Sequence, residues 1–202
     1  LSRRQRQMCI RDRFLAYALR PQTPKDFTTI LDKRIHLIEV KNFGGSIFNV
    51  KKDIQVINEL QKIANSINPE LIHLHSSVAG GIGRIAFARS QVPVVYTPHG
   101  YAHILMGKGG MKLEMYKWME YILGKTNCIT LTCCKSEDEV AKTLTKRTAY
   151  IETGVNLEEL SAQLDSIHPI KDKKFTVYTL GRTCVQKQPE LFNEIAQLVP
   201  EA

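Results

Sequence analysis

Short apolar, β-branched runs alternate with longer segments of helical period along most of the chain, and this alternation restricts the fold more than any other feature. The strand candidates are "FLAYAL", "RIHLIEV", "LIHLH", "VPVVYT", "CITLT", "AYIE" and "FTVYTL". Most are continuously apolar, which fits strands buried on both faces of a parallel sheet. Between them the spacing predicts an amphipathic helix from Lys52 to Ile67, with Ile54, Ile57, Leu60 and Ile63 on one stripe. A second helix is predicted from Val78 to Ser90, opened by a glycine-rich turn. A third, from Met111 to Leu123, carries Met111, Met115, Trp118, Met119 and Ile122 on one side. Two more open at capping-box signatures, Ser136 with Glu139 and Asn156 with Glu159, where each side chain would satisfy the other's free backbone donor. Strand followed by helix, repeated, predicts an α/β fold with a doubly wound, Rossmann-like parallel sheet.

Composition shifts divide the chain further. Residues 14–167 form the expected Rossmann-like domain, and "HPIKDKK" (168–174) has the charge density of a linker. Residues 175–202 then supply one strand, one glycine-containing turn and one helix opened by Pro189. A lone parallel strand and helix cannot cover each other, so this stretch reads as the first βα unit of a truncated second α/β domain.

The net charge of +8 points at first to nucleic acid or an anionic membrane, but five arginines against one aspartate put +4 of it in residues 1–13. That tail, "LSRRQRQMCIRDR", has no periodicity and resembles a translated sequencing adapter, so it is set aside as non-native; a basic arm for nucleic acid is the reading this displaces. No apolar run approaches the roughly 20 residues of a membrane-spanning helix, and no signal-peptide pattern occurs, so a cytoplasmic protein is expected. The five cysteines, Cys9, Cys128, Cys133, Cys134 and Cys184, lack C-x-x-C spacing, which favours free thiols over disulfides or zinc; Cys133 and Cys134 read as a buried strand end.

In a doubly wound sheet, ligands bind outside the carboxyl ends of the strands, where helix N-termini offer backbone donors. "LIHLHSSVAGGIGR" fits such a site. His73 and His75, two apart on a strand, share a face; Ser76, Ser77 and Gly80 follow, small enough for a polar ligand to approach the backbone. The competing interpretation is a hydrogen-bonded pair of strand histidines and an ordinary tight helix start. "VPVVYT" ends in Pro98, His99 and Gly100, a fixed turn that would hold an imidazole at the sheet edge to bond a sugar hydroxyl, or merely to cap a backbone group. After "FTVYTL", Gly181, Arg182 and Lys187 precede the proline-led helix, as a phosphate cradle would, or an ordinary solvated loop. The helix "MKLEMYKWMEYILGK" either packs its Met/Trp/Ile stripe into the core or lies on an anionic membrane.

Taken in order, "INPELIHLHSSVAGGIGRIAF", "VVYTPHGYA", "CITLTCCKSEDEVA", "AYIETGVNLEEL" and "VYTLGRTCVQKQPELFNEIA" resemble glycosyltransferase family 4, the retaining, nucleotide-sugar-dependent enzymes of the GT-B fold, and most closely those of capsular or cell-surface polysaccharide assembly. The resemblance implies an acceptor-holding first domain, a donor-holding second domain and reaction in the cleft between them. It implies His99 as the catalytic residue facing the donor sugar, with His73, His75, Ser76, Ser77, Gly80 and Gly100 binding substrate and Arg182 with Lys187 binding the donor diphosphate. No cofactor and no metal are expected, the nucleotide sugar being a co-substrate. The implied partners are that donor and a lipid-linked or glycan acceptor at the inner face of the plasma membrane, and no nucleic acid. Three departures bear on these expectations. The family's leading strand and glycine-rich loop do not precede "FLAYALRPQTP", its acidic donor motif would lie beyond Ala202, and "ETG" stands where "NG" is usual. The 202 residues alone are therefore expected to transfer no sugar. A non-catalytic sugar- or nucleotide-binding module is the alternative function.

Overall fold

The computed structural model describes residues 12–21, 23–43, 49–101, 111–154, 156–158, 160–161, 179–181 and 188–198. The chain divides into two units, residues 1–155 and 156–202.

In the first unit, β1 (Arg13–Tyr17) and β2 (Ile35–Glu39) pair in parallel, with Leu15 opposite Leu37, and a short helix α1 (Phe27–Ile30) lies between them. β1 thus begins one residue before the boundary drawn at Phe14. Helix α2 (Val50–Ile67) follows. A second sheet runs β3-β4-β5-β6, parallel throughout: β3 (Ile72–His75), β4 (Val94–Thr97), β5 (Cys128–Thr132) and β6 (Thr148–Tyr150). Parallel neighbours require crossovers, here α3 (Ser77–Ala86), α4 (Met111–Leu123) and α5 (Lys135–Leu144). The expected parallel α/β architecture is present, set out in two sheets.

Burial corrects the strand reading. β4 and β5 are largely buried, with Val94, Tyr96, Thr97, Cys128, Thr130 and Thr132 inside. β1 is not, since Phe14 is 44% exposed. An apolar run signals affinity for a core, but β1 lies in a two-stranded sheet and β3 at the edge of a four-stranded one, with fewer neighbours to cover them.

The helices begin where side chains can satisfy their free donors. Asn49 Oδ1 accepts from Lys52 N–H at 3.2 Å, so α2 starts two residues before the expected Lys52; it stops at Asn68, whose φ of 51° is left-handed. The glycine-rich segment is not a turn preceding α3, as the sequence suggested, but part of that helix. Glycine weakens a helix interior by roughly 1 kcal/mol relative to alanine, and contacts explain its presence: a Cβ on Gly80 would overlap the Tyr96 ring, and one on Gly83 would meet Leu74 Cδ2 at 2.5 Å. The predicted capping box of α5 is shifted as well. Its N-cap is Cys134, Ser136 lies inside the first turn, and the reaching carboxylate is Glu137 instead of Glu139.

Two apolar clusters form the core. Val40, Val56 and Ile82 fasten α2 to α3, and Val94, Tyr96, Tyr101, Cys128, Ala141 and Leu144 fill the space between the β4–β5 strands and α5. A buried ion pair stitches α3 to α4: Arg84 Nη2 donates to Glu120 Oε2 at 2.6 Å, Tyr96 Oη donates to Glu120 Oε1 at 3.2 Å, and the guanidinium stacks 4.0 Å from the Tyr96 ring centroid.

In the second unit, Asn156 Oδ1 accepts from Glu158 N–H at 3.2 Å, its half of the expected cap, while Glu159 lies outside the described residues. Helix α6 (Pro189–Gln197) carries proline in its first turn as anticipated. The predicted linker 168–174 and most of the strand "FTVYTL" lie outside the described residues. Among the described residues, no helix is long and apolar enough to cross a membrane.

Candidate functional site

The carboxyl ends of β3 and β4 bring the predicted histidines together. His73 and His75 stand on one face of β3 with ring centroids 4.0 Å apart, and His99, just past β4, stacks on His75 at 5.2 Å with 12° between planes. Parallel pairing of His75 with Thr97 sets this register, because it leaves Pro98 and His99 to turn back over the end of β3. His73 Nε2 hydrogen-bonds Thr97 Oγ1 at 2.9 Å, and His75 Nδ1 hydrogen-bonds His99 Nε2 at 3.0 Å.

The backbone here is unusual. Ser76 has φ 68° and ψ 156°, His99 has φ 54° and Gly100 has φ 96°. Only the last residue type adopts such angles freely, and strain of this kind collects at functional sites. Ser76 N–H continues the ladder to Thr97 O at 3.0 Å, while its hydroxyl makes no capping bond to α3. Ser77 Oγ donates to Gly100 O at 3.4 Å and also hydrogen-bonds Tyr96, which ties the start of α3 to the β4 turn. Gly80, read from the sequence as room for a ligand, is buried, and the space beside it is filled by Tyr96.

Electrostatics follows from the crowding of three imidazoles. Loss of hydration, with the neighbouring His75 and His99, pushes His73 down to about 4. The same desolvation, followed by His99, lowers His75. With both rings neutral, His75 and His99 share one N–H between Nδ1 and Nε2. Whichever ring donates it, the two remaining nitrogens are one donor and one acceptor. A sugar hydroxyl both donates and accepts, so neighbouring hydroxyls of a pyranose match this pair in either tautomer.

Next to His99 a cleft of about 390 Å³ is lined by His99, Gly100, Tyr101, Cys133, Cys134, Ser136, Glu137 and Val140. Its size suits a monosaccharide unit. Glu137 forms its floor: Oε1 accepts from Gly100 N–H at 2.6 Å and Oε2 from Cys133 N–H at 3.1 Å, so one buried carboxylate fastens the ends of β4 and β5. Sequence reasoning missed Glu137 and Thr97. Their cross-strand partners, Gly100 and His73, lie 37 and 24 residues away, and no local pattern marks such pairs.

Cys133 is part-exposed and Cys134 exposed, both on the cleft wall, which corrects the reading of a buried strand end. The third described thiol, Cys128, is buried, and desolvation pushes it up to about 11, so it stays protonated and inert. All three are free. Arg182 and Lys187, the expected diphosphate ligands, lie outside the described residues. A second groove of comparable size, between α4 and α5 at Leu113 and Val140, is lined by ordinary amphipathic helix faces.

The model of "Glycosyltransferase Family 4" matches residues 9–159. The chain is 32% identical, over 86% of its length, to the UDP-Gal:alpha-D-GlcNAc-diphosphoundecaprenol alpha-1,3-galactosyltransferase of Escherichia coli, and covers 47% of that protein. It is 42% identical over 30% of its length to an uncharacterized 41.2 kDa protein in the cps region of Klebsiella pneumoniae, covering 18% of that one. The chain thus spans about half the length of the first of these relatives and less of the second.

Proposed function

The chain belongs to glycosyltransferase family 4, and from that premise we propose that it forms the acceptor-side half of an enzyme that moves a sugar from a nucleotide-sugar donor to a lipid-linked or polysaccharide acceptor in cell-surface polysaccharide assembly. The observation that carries this reading is the hydrogen-bonded His75–His99 pair at the strand ends, with His99 lining a cleft of about 390 Å³.

In the proposed reaction His99 faces the donor sugar while His73, His75, Ser76, Ser77 and Gly100 hold the acceptor side. The acceptor hydroxyl oxygen bonds to the anomeric carbon, the bond from that carbon to the diphosphate oxygen breaks, and the hydroxyl proton passes to the departing diphosphate. The new bond forms on the face the old one leaves, so configuration is retained. Arg182 and Lys187 neutralise the diphosphate, a role fixed cations perform without a bound metal ion. A lipid-linked acceptor would place this work at the cytoplasmic face of a membrane.

The name of the Escherichia coli relative pairs UDP-galactose with a GlcNAc-diphospho-lipid, so these are the first substrates to try. Protein from the full reading frame that encodes this chain is expected to convert a short-chain GlcNAc-diphospho-lipid to a galactosylated product, and the 202 residues alone to give none. Failure of the full-frame protein with every nucleotide sugar offered, alongside retained sugar binding, would replace the transferase reading by that of a binding module.

A further inference from the structure

We propose that Glu137 is the positioning residue for His99: its carboxylate holds the peptide between His99 and Gly100 in the conformation that lays the His99 ring on His75. Glu137 is the third residue of α5, behind the N-cap Cys134. A glutamate there ordinarily reaches back to the open amides of its own helix start, and Oε2 does so, accepting from Cys133 N–H at 3.1 Å. Oε1 instead crosses to the neighbouring strand end and accepts from Gly100 N–H at 2.6 Å, 37 residues away in the chain. A helix cap needs only the first of these bonds, so the second asks for another explanation.

The turn after β4 supplies it. Pro98 and Tyr101 are fully buried and anchor the chain on both sides, which leaves His99 and Gly100 to turn between them. Both are left-handed, His99 at φ 54° and Gly100 at φ 96°. Glycine takes such angles freely, but histidine does so at a cost and stays there only where its surroundings hold it. The N–H that Glu137 accepts belongs to the peptide joining the two residues, and a buried, charge-assisted bond is among the stronger ways to fix it. Ser77 Oγ secures the next peptide by donating to Gly100 O at 3.4 Å. Released from Glu137, His99 relaxes to negative φ. Its Cβ then leaves the backbone in another direction, and the ring moves off His75 Nδ1, which it meets at 3.0 Å. The catalytic consequence rests on the proposed function, in which His99 faces the donor sugar, but the ring geometry is measured without any sugar.

In the 202-residue protein, two-dimensional NMR is expected to show an Overhauser contact between the carbon-bound ring protons of His75 and His99. Glu137→Leu, which keeps the helix propensity but accepts from neither amide, is expected to lose that contact. Glu137→Asp keeps the charge and draws it back by one methylene; it is expected to weaken the contact, and it decides should the leucine variant not fold. Ala141→Gly weakens the same helix without touching the carboxylate and is expected to leave the contact as in the parent. In the full reading-frame protein, Glu137→Leu is expected to lower kcat at least about tenfold and Ala141→Gly to keep it within about threefold. The proposal is overturned if the contact stays at parental intensity in the deciding variant, if Ala141→Gly loses it as well, or if a folded Glu137→Leu enzyme keeps the parental kcat. A full-frame parent that transfers no sugar from any donor would sink the transferase reading, and the ring contact would still decide this one.

Discussion

At the residue scale, the geometry of the strand ends depends on Glu137. Its two oxygens satisfy the Gly100 and Cys133 amides, and truncation leaves both without a partner. Glu137→Ala is expected to lower stability by about 2–4 kcal/mol in urea unfolding, and Glu137→Gln, which keeps one acceptor oxygen, by about half as much. The histidines make the protein sensitive to acid. Folded His73 takes up its proton near pH 4 and unfolded His73 near 6.5, so between those values the unfolded chain binds more protons. Stability contributed by the neutral ring is complete above about pH 6.5 and is lost as pH falls through that window. His73→Asn should flatten this part of the pH profile of the urea midpoint. That the histidines meet was legible in the sequence, because His73 and His75 share a strand face and His99 ends the next strand; the sequence offered both a ligand site and a hydrogen-bonded histidine pair there. Glu137 was not, since its partner Gly100 is far along the chain and its own surroundings, "KSEDEV", look like any acidic helix start.

At the scale of elements, α3 explains why glycines occupy a helix. Gly80→Ala drives a methyl group into the buried Tyr96 ring, which is held by Glu120 and Arg84 and has nowhere to go; Gly83→Ala meets the flexible end of Leu74. Thermal unfolding should therefore show Gly80→Ala as the clearly destabilising change, by about 1–3 kcal/mol, and Gly83→Ala as the milder one. Removing one partner of the buried ion pair leaves a charge unpaired, so Glu120→Ala is expected to cost about 3–5 kcal/mol. Periodicity located α2 and α4 to within two residues but left the orientation of α4 open, because Leu113, Tyr116 and Leu123 offer the core a second apolar side. The glycine cluster was misplaced for a related reason: propensity argues against glycine in a helix, and only tertiary contacts show what it gains there.

For the whole molecule, the alternation of strands and helices was enough to establish a parallel α/β fold, since parallel neighbours demand crossovers and the chain supplies a helix at each. The division of the strands between two sheets was not foreseeable, because pairing partners leave no trace in a single strand's sequence. Strand order is nonetheless what assembles the site, by setting β4 beside β3 so that His99 reaches His75. The account rests on that assembled pair lining one sugar site, with His75 on its acceptor side and His99 towards the donor. The measurement that tests it most directly is a titration of the 202-residue protein with a short-chain lipid-diphosphate sugar, followed through the imidazole signals in a two-dimensional NMR spectrum. Saturable movement of the His75 signal, weakened in His99→Ala with the fold intact, is the predicted result; binding that leaves the His75 signal unmoved would place the acceptor elsewhere and contradict the account.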